Sequence, residues 1–587
     1  MNVNWNSPDF QGFADQNPFQ RKAAGPRPVR KPIGTPMTRT IINLVVTLLF
    51  AAVYFYVTLP AINFKAAEFY VFLFLICAVY CICAVITSGF QGDGIKGYFS
   101  FVKKQCSIPA LVAVLLVATG LVGSIIGWEV FRAADYRDLL TVHDGDFTAE
   151  VEEISFDQIP MLDRDSAVRL GNRKLGELAD MVSQFEVAAD YTQINYQGHP
   201  VRVTPLRYGD LIKWLNNRSE GLPAYLIIDM VTQNVEVVRL DDTGEGIKYT
   251  TAEHFGRNLT RHLRFQYPTY MFDTPAFEID ETGHPFWVCP RIDKTIGLFN
   301  GTDITGAVLV DAISGESQYY DVADVPEWVD HVYTADLIIQ QYDYHGAYIN
   351  GFLNSIFGQR GMTQTTDGYN YIAIGDDVYM YTGITSVVSD ESNIGFILSN
   401  QRTKETRFYQ IAGAEEYSAM ASAQGQVQHL NYVSTFPLLL NISEQPTYFM
   451  AMKDAAGLVK MYAMVNVSQY QIVATGATVG ECERNYRQML ANNNLIDEED
   501  TDIVVSDQTE TAGFIREIRS AVIDGNTWYY LRLDGSAYYV ISAASDPAAV
   551  ILNVGDYVTV KFAQGEGSIL SAYSVTKTDA PLVENAA

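Results

Sequence analysis

Four polar residues that could form an acidic active site lie between two short apolar runs of this sequence. The stretch VLVDAISGESQYYDV (308–322) brings together Asp311, Ser314, Gly315 and Glu316. Two carboxylates this close could carry out acid–base chemistry. The same residue types also favour a tight turn, because Asp and Ser bond nearby backbone N–H groups and Gly accepts a positive φ. The pattern is therefore either an active site or the bend of a hairpin.

Related patterns occur elsewhere in the chain, in AYLIIDMVTQNVEVVRL (224–240) and GFILSNQRTKETRFYQI (395–411), and more loosely at 371–381 and 447–465. The residues that align with Asp311, Ser314 and Glu316 are Asp229, Thr232 and Asn234 in the first copy and Asn400, Thr403 and Glu405 in the second. An active site would hardly be copied with its acid replaced by Asn. We therefore predict β-hairpins, whose turn or binding positions are Asp311, Ser314, Gly315, Glu316, Asp229 and Asn400.

Other signatures of catalysis are scarce. The sequence has no HExxH, GxSxG, P-loop, EF-hand or Rossmann pattern. His284 and Cys289 could suggest a thiol dyad, but strand residues five positions apart point to opposite faces. We predict no catalytic residue, no cofactor and no metal site. A cryptic enzyme that uses Asp311, Glu316 or Cys289 is kept as an alternative.

Three apolar runs, 41–60, 66–90 and 109–128, each reach the roughly 20 residues that cross a membrane. Glu68 is their only charged residue and lies near an end. A buried core helix seldom stays so uniformly apolar, so the runs predict three transmembrane helices. In the third, Gly123 and Gly127 form a small-xxx-small pattern. This pattern favours packing within the three-helix bundle, although contact between two copies, and thus a homo-oligomer, is also possible.

Lys and Arg residues predict the orientation of these helices. They precede the first helix and occur between the second and third, whereas the loop 61–65 has only Lys65. We therefore place the N terminus and the 91–108 loop in the cytoplasm and the chain after Trp128 outside the cell membrane. Residues 1–40 are Pro-rich, basic and aperiodic, which predicts a disordered cytoplasmic tail.

The chain after Trp128 is strongly acidic. Residues 1–128 hold 10 of the 40 basic and 4 of the 68 acidic residues, which leaves 30 basic and 64 acidic residues and a formal charge of −34. Such a field repels nucleic acid and anionic lipid headgroups. It could attract cations or basic partners, but solubility of a large exposed domain explains it more simply. In this region Cys289 and Cys482 either pair or remain buried thiols.

Residues 129–505 alternate helical segments with hairpins and predict a repeated α+β region. A helix with one broad apolar face is expected over 163–185, and Thr478 to Glu481 form a capping box that opens another. The segment 342–371 is aromatic, Gly-rich and lightly charged. It either lines a groove for a peptide or glycan or packs between repeats, and we favour packing.

Residues 506–578 predict a small closed β-barrel, OB-like or SH3-like, of five strands, followed by a flexible tail at 579–587. Trp528, Tyr530 and Tyr538 could form an aromatic face of the kind with which OB-folds stack nucleic acid or sugars. The acidic surroundings argue against nucleic acid. Aromatic residues are also ordinary strand residues, so we favour structural filling.

The strand–Asp-x-x-Ser-Gly-Glu–strand pattern of VLVDAISGESQYY resembles the PepSY family of small extracytoplasmic α+β modules. LIIDMVTQNVEVV resembles a weaker copy with Gln233 and Asn234 in place of Gly-Glu, and FILSNQRTKETRFY departs further, with Asn400 and Lys404. The resemblance covers about a third of the chain. It implies modulation of peptidases or envelope sensing rather than catalysis, although a fold does not fix a function.

These observations predict a non-enzymatic, membrane-anchored binding or scaffold protein of the bacterial cell envelope. Its extracytoplasmic domain is expected to bind an envelope protein and to modulate that protein or a peptidase. An accessory subunit of a membrane transport or secretion complex, with partner contacts mainly through the helices, is the alternative.

Overall fold

The computed structural model describes residues 33–88, 94–153, 159–240, 245–387, 389–497, 508–523, 526–535, 537–543, 546–563 and 569–578. Most of the N-terminal tail expected at 1–40, and the whole C-terminal tail expected at 579–587, lie outside these residues.

Three helices long and apolar enough to span a membrane come first: α1 (Pro36–Thr58), α2 (Ala67–Ser88) and α3 (Gly94–Ile126). Helix α1 starts before the expected residue 41, because the Thr35 hydroxyl accepts the N–H of Thr38 at 3.2 Å and Pro36 suits the first turn. Helix α3 starts well before residue 109, because no Gly or Pro interrupts residues 98–108. Its apolar span covers Val102–Ile126.

The chain divides into two compact units. One comprises residues 1–128, 260–271 and 294–300, and the other comprises 129–259, 272–293 and 301–587.

The glycine face of α3 is occupied within the first of these units. A Cβ added to Gly123 would lie 2.8 Å from the Phe299 ring, and the Asn300 side-chain amide donates to the Gly127 carbonyl at 2.8 Å. The small face therefore accommodates residues 297–300, the tip of a β-hairpin, where we expected another helix. Association of two copies through α3 stays a prediction.

After α3 come α4 (Glu129–Arg137), β1 (Val142–Gly145) and α5 (Phe147–Glu150). Four sheets then share one connectivity, in which a helix precedes five strands a to e. Strands c, d and e are successive neighbours, and the short strands a and b both pair with c. We number these units repeats I to IV.

Repeat I consists of α6 (Arg164–Gly176), β2 (Phe185–Val187), β3 (Thr192–Tyr196), β4 (His199–Tyr208), β5 (Ala224–Asp229) and β6 (Val235–Arg239), with α7 (Leu211–Asn217) inserted before β5. Repeat II consists of α8 (Leu259–Gln266), β7 (Met271–Phe272), β8 (Ala276–Ile279), β9 (Pro285–Ile296), β10 (Asn300–Asp311) and β11 (Ser317–Asp321). The helix expected over 163–185 therefore ends at Gly176.

Repeat III consists of α9 (Ala335–Ala347), β12 (Thr363–Thr365), β13 (Asn370–Ile374), β14 (Asp377–Ser386), β15 (Ser389–Asn400) and β16 (Thr406–Tyr409). Its sheet also includes β1, parallel to β16, and β17 (Gly413–Ala414). Repeat IV consists of α10 (Glu416–Gln426), β18 (Val433–Ser434), β19 (Leu438–Ile442), β20 (Gln445–Lys453), β21 (Val459–Asn466) and β22 (Val473–Gly476). Helix α11 (Val479–Asn492) follows, and Thr478 caps it as expected, accepting the N–H of Glu481 at 3.2 Å.

The C-terminal strands are β23 (Gln508–Phe514), β24 (Glu517–Ile523), β25 (Asn526–Arg532), β26 (Tyr538–Ser542), β27 (Tyr557–Ala563) and β28 (Ile569–Lys577). The expected closed, five-stranded barrel is not found among the described residues. Six strands form one open order, β23-β27-β28-β26-β25-β24. The first predicted strand is divided into two strands, β23 and β24. They are separated at Ile515 and Arg516, because the N–H of Ile515 donates to the Asp556 carbonyl and the N–H of Arg516 donates to the Arg532 carbonyl on the opposite side. In this order β23 and β24 are the two edge strands, and the chain joins them through Ile515 and Arg516.

Candidate functional site

The four residues of the opening pattern form a turn that is held by backbone bonds. One carboxylate oxygen of Asp311 accepts the N–H groups of Ile313 and Ser314 at 2.8 and 3.0 Å. The Ser314 hydroxyl accepts the N–H of Glu316 at 3.1 Å, and the Gly315 N–H donates to the Asp311 carbonyl at 2.9 Å. The Glu316 side chain is exposed. All four residues therefore serve the link from strand d to strand e of repeat II.

The same turn occurs at the same place in repeats I and III. The Asp229 side chain accepts the N–H groups two and three residues ahead, both at 2.8 Å. The Asn400 side-chain oxygen does the same at 2.8 and 2.9 Å. Because an amide oxygen replaces the carboxylate without changing the bonds, the acidic charge is not what the turn requires.

The residue four positions after Asp229, Asp311 or Asn400 has a positive φ in each turn. These residues are Gln233 (62°), Gly315 (78°) and Lys404 (65°). Only repeat II needs Gly on steric grounds, since a Cβ at residue 315 would lie 2.3 Å from the Tyr249 ring. In repeat IV, Asn466 ends strand d and accepts the N–H of Gln469 at 2.8 Å. The sequence comparison missed Asn466 because its turn is longer.

The two looser sequence matches are hairpins at other positions of the repeat. Residues 371–381 lie in the hairpin between strands b and c of repeat III, and residues 447–465 include the hairpin between strands c and d of repeat IV. They are not further copies of the turn between strands d and e.

The Asp311 carboxylate also binds a side chain outside its own turn. Its second carboxylate oxygen lies 3.1 Å from Nε2 of His284. Burial opposes ionisation, but the backbone N–H groups of Ser314 and Ile313, together with His284, outweigh it and lower the pKa of Asp311. The carboxylate is thus held in its charged form, which suits a hydrogen-bond acceptor.

The two cysteines outside the membrane helices are unpaired, buried thiols. The Cys289 thiol faces the backbone carbonyl of Trp287, and the Cys482 thiol faces that of Ala474. Burial raises the pKa of both thiols well above the ordinary value. His284 lies directly before β9 and engages Asp311.

The register of the C-terminal sheet places the three predicted aromatic residues on one face. Trp528 and Tyr530 alternate along β25, and Tyr538 pairs with Arg532 on the neighbouring β26. All three aromatic side chains are half-buried, and the Tyr538 hydroxyl donates to Glu517 at 2.9 Å. Ligand binding by this face stays a prediction.

Glu278 and Asp330 form a buried pair of carboxyl groups that the sequence did not predict. Glu278 of repeat II is fully buried and accepts the N–H groups of Asp330 and His331 at 2.9 and 3.0 Å. Asp330 in turn accepts the N–H of Asn195 in repeat I at 2.7 Å. Burial raises the pKa of both carboxyl groups. The pair fastens repeats I and II to the segment before α9, and only the tertiary structure reveals it.

The segment 342–371 exposes an apolar loop. Leu353, Ile356 and Phe357 have exposed fractions of 71, 53 and 83%. The Asn354 side chain closes the loop by bonding both the N–H and the carbonyl of Arg360, at 3.1 and 3.0 Å. We call residues 349–357, which run into a short π-helical turn (Asn354–Gly358), the apolar loop. Packing between repeats, which we favoured, does not account for its exposed side chains.

Aromatic rings fix the base of the apolar loop. The ring of the buried Tyr136 in α4 lies 4.7 Å from that of Tyr344 and 6.2 Å from that of Tyr348. Tyr348 and Phe352 are stacked at 6.3 Å. The loop is therefore an ordered projection from α9.

Over the described ranges, no group of three His, Cys, Asp or Glu side chains could hold a metal ion.

Comparison with known proteins adds little. No protein-family model matches the chain, and no curated protein matches it. Among solved structures, a mutant of levansucrase from B. megaterium aligns with 75% of this chain and 98% of its own, at 10% identity and a TM-score of 0.15. A TM-score this low carries no argument about fold or function.

Proposed function

We propose that this chain is a non-enzymatic, membrane-anchored binding or scaffold protein of the bacterial cell envelope, whose large extracytoplasmic domain binds another envelope protein. In this proposal the bound protein, such as a peptidase, is modulated. The observation that carries the proposal is the apolar loop: three large apolar side chains stand exposed on an ordered base in an acidic domain. Contiguous exposed apolar groups commonly mark interaction sites.

The loop has the features of a protein-binding anchor. The sequence from 344 to 363 contains no Asp or Glu, so a partner would not have to desolvate a carboxylate there. The rings of Tyr344, Tyr348 and Phe352 pre-order the segment, which reduces the entropy lost on binding. Phe357 supplies a large aromatic side chain of the kind that dominates interface energies, and Leu353 adds apolar area beside it.

The shared turn supports a binding role over an enzymatic one. Asp311, the residue that most resembles a catalytic acid, has the same backbone partners as Asp229 and Asn400. PepSY-like identity of the repeats and the extracytoplasmic orientation belong to the proposal. The repeated helix-and-hairpin connectivity and the basic residues before α1 support them.

Site-specific crosslinking in native membranes tests the proposal. A photo-crosslinking residue at Phe357 should capture one defined protein, identified by mass spectrometry. The same residue at Leu458, which is 45% exposed in a turn of repeat IV, is the control and should not capture it. The double variant Leu353→Ser and Phe357→Ser should lower recovery of that protein at least about tenfold. Capture only of lipid or of the chain itself, or equal capture from both positions, would contradict the proposal.

A further inference from the structure

Two segments in the first compact unit differ in charge from the rest of the chain that follows Trp128. Residues 260–271 and 294–300, which we call the collar, contain Arg261, Arg264 and Lys294 but no Asp or Glu. The chain after Trp128 holds 64 acidic residues, and all of them lie outside the collar. The acidic field that repels anionic lipid is thus interrupted in the segments grouped with the membrane helices.

The collar is bonded to the loop that follows α1. The Arg264 guanidinium, which is 6% exposed, donates to the Leu59 carbonyl at 2.9 Å. The Ile62 N–H donates to Pro268 at 2.7 Å, and the Asn63 amide donates to Thr269 at 2.9 Å. A helix of 23 residues is about 35 Å long, enough to cross the roughly 30 Å hydrocarbon core. A membrane-spanning α1 of this length would place the collar at the boundary between hydrocarbon and headgroups.

Aromatic side chains support this position. The Phe265 ring lies 5.9 Å from that of Phe55, and the Phe299 ring lies 5.3 Å from that of Tyr70. Tyr267 and Tyr270 stack at 5.1 Å in the same segment. Tyr is enriched where membrane proteins meet the headgroup layer.

We propose that the collar binds the headgroup of an anionic phospholipid, with Arg261 contacting the phosphate and Phe265 entering the acyl boundary. The Arg261 guanidinium lies 4.4 Å from the centre of the Tyr56 ring, near the end of α1. Phe265 lies one helical turn further along α8 and is 58% exposed. A basic group beside an exposed ring is what an interfacial helix uses to hold anionic lipid.

The carboxylate of Glu68, near the start of α2, is bonded to the loop that follows α1. Glu68 accepts the N–H of Ala61 at 2.9 Å, so its carboxylate caps the loop before α2. The lipid site and the apolar loop share no residue. The lipid site does not depend on the proposed protein partner, and either proposal can fail alone.

Native mass spectrometry of the full-length protein tests the lipid site. The protein is released from nanodiscs of phosphatidylcholine alone or mixed with phosphatidylglycerol, and the retained lipids are counted. We expect preferential retention of phosphatidylglycerol, reduced about fivefold in Arg261→Gln. Arg218→Gln is the matched control, because Arg218 also lies over an aromatic ring, that of Trp214 at 5.3 Å, but outside the collar. Equal retention of the two lipids, or an equal effect of the two substitutions, would overturn the proposal.

A second readout does not depend on the charge of residue 261. A photo-crosslinking residue at Phe265 should label phospholipid, whereas one at Phe514, a 37% exposed ring of the C-terminal sheet, should not. Failure to label lipid from residue 265 in a folded, membrane-inserted protein would contradict insertion of this side chain.

Discussion

Asp311 and Glu278, both in repeat II, accept backbone N–H groups in opposite settings. Asp311 bonds residues two and three positions ahead in its own turn, and its pKa is lowered. Glu278 bonds Asp330 and His331, more than fifty residues away, and burial raises its pKa to about 7. Similar side chains thus organise a local turn in one place and a junction between repeats in the other. For Asp311 and Glu278, the observed bonds indicate a role in organising the backbone and not in catalysis.

Loss of the carboxyl group should lower stability more at the Glu278 junction than in the Asp311 turn. Glu278→Ala would leave two buried N–H groups without an acceptor, and we expect it to lower the free energy of unfolding by about 3–4 kcal/mol. Chemical denaturation of the full-length protein measures this change. The control is Glu405→Ala in the turn of repeat III, where the side chain is 53% exposed and the effect should stay within about 0.5 kcal/mol. Equal effects would mean that the Glu278 junction does not hold the repeats.

Gly315 tests the steric demand of the Asp311 turn. Gly315→Ala places a Cβ against the Tyr249 ring at a φ of +78°, so we expect a loss of about 2–4 kcal/mol in the same denaturation measurement. Gly375→Ala in repeat III has a φ of +63° and no atom within 4 Å of the added Cβ. It should cost about 1 kcal/mol. A similar loss in both variants would remove Tyr249 from the explanation.

Asp311 itself should respond to loss of the acceptor and not to loss of the charge. Asp311→Ala removes the acceptor of two N–H groups and should lower stability by about 2 kcal/mol. Asp311→Asn keeps an acceptor oxygen, as Asn400 does in repeat III, and should cost less than about 1 kcal/mol. Thermal unfolding of the two variants side by side measures the difference. An Asn variant as unstable as the Ala variant would show that the charge is required.

The two carboxylates should also give opposite pH dependences. The lowered pKa of Asp311 means that its stabilisation is present above its unfolded value of about 3.9 and is lost as pH falls through the folded pKa. The folded state holds a proton on Glu278 more firmly, so its contribution to stability falls as pH rises from about 4.3 through the folded pKa. Comparing wild type with Asp311→Asn measures the Asp311 contribution. Glu278→Gln measures the joint contribution of Glu278 and Asp330, because the Glu278 charge helps to raise the pKa of Asp330 and both contributions fall as pH rises. Burial lowers the pKa of His331 to about 4, so the contribution of His331 to stability rises with pH and opposes that of Glu278. His331 is present in both proteins of each comparison. Slopes of the same sign would contradict the assignment.

The smallest expected effect is a gain in stability. Gln233 occupies the positive-φ position of repeat I at 62°. Gln233→Gly should therefore raise the free energy of unfolding by about 0.5–1 kcal/mol, measured by denaturation. A loss would show that contacts of the Gln233 side chain outweigh the backbone strain.

Local patterns made part of this structure predictable. The mixed α+β class, the three apolar helices and the turn that holds Asp311 follow from short-range signals of length, alternation and turn chemistry. Asn466 was missed because its turn is longer, and the split between β23 and β24 was missed because no Gly or Pro separates them.

Long-range features could not be predicted in this way. The contact of Gly123 with a hairpin tip and the junction at Glu278 each join residues far apart in sequence. The apolar loop was recognised as unusual, but its exposure depends on the stacking of Tyr348 on Phe352 and on the Asn354 clamp. A single sequence contains no direct signal of such contacts.

The most direct test compares crosslinking of the wild type and of Asp311→Asn from residue 357 in native membranes, with mass spectrometry of the captured proteins. We expect the same near-stoichiometric partner from both proteins, because the Asn side chain preserves the turn and binding needs no acid at residue 311. Recovery of only self-links from the wild type would contradict a binding role for the apolar loop. Loss of the partner in a folded Asp311→Asn variant would contradict a purely structural role for Asp311.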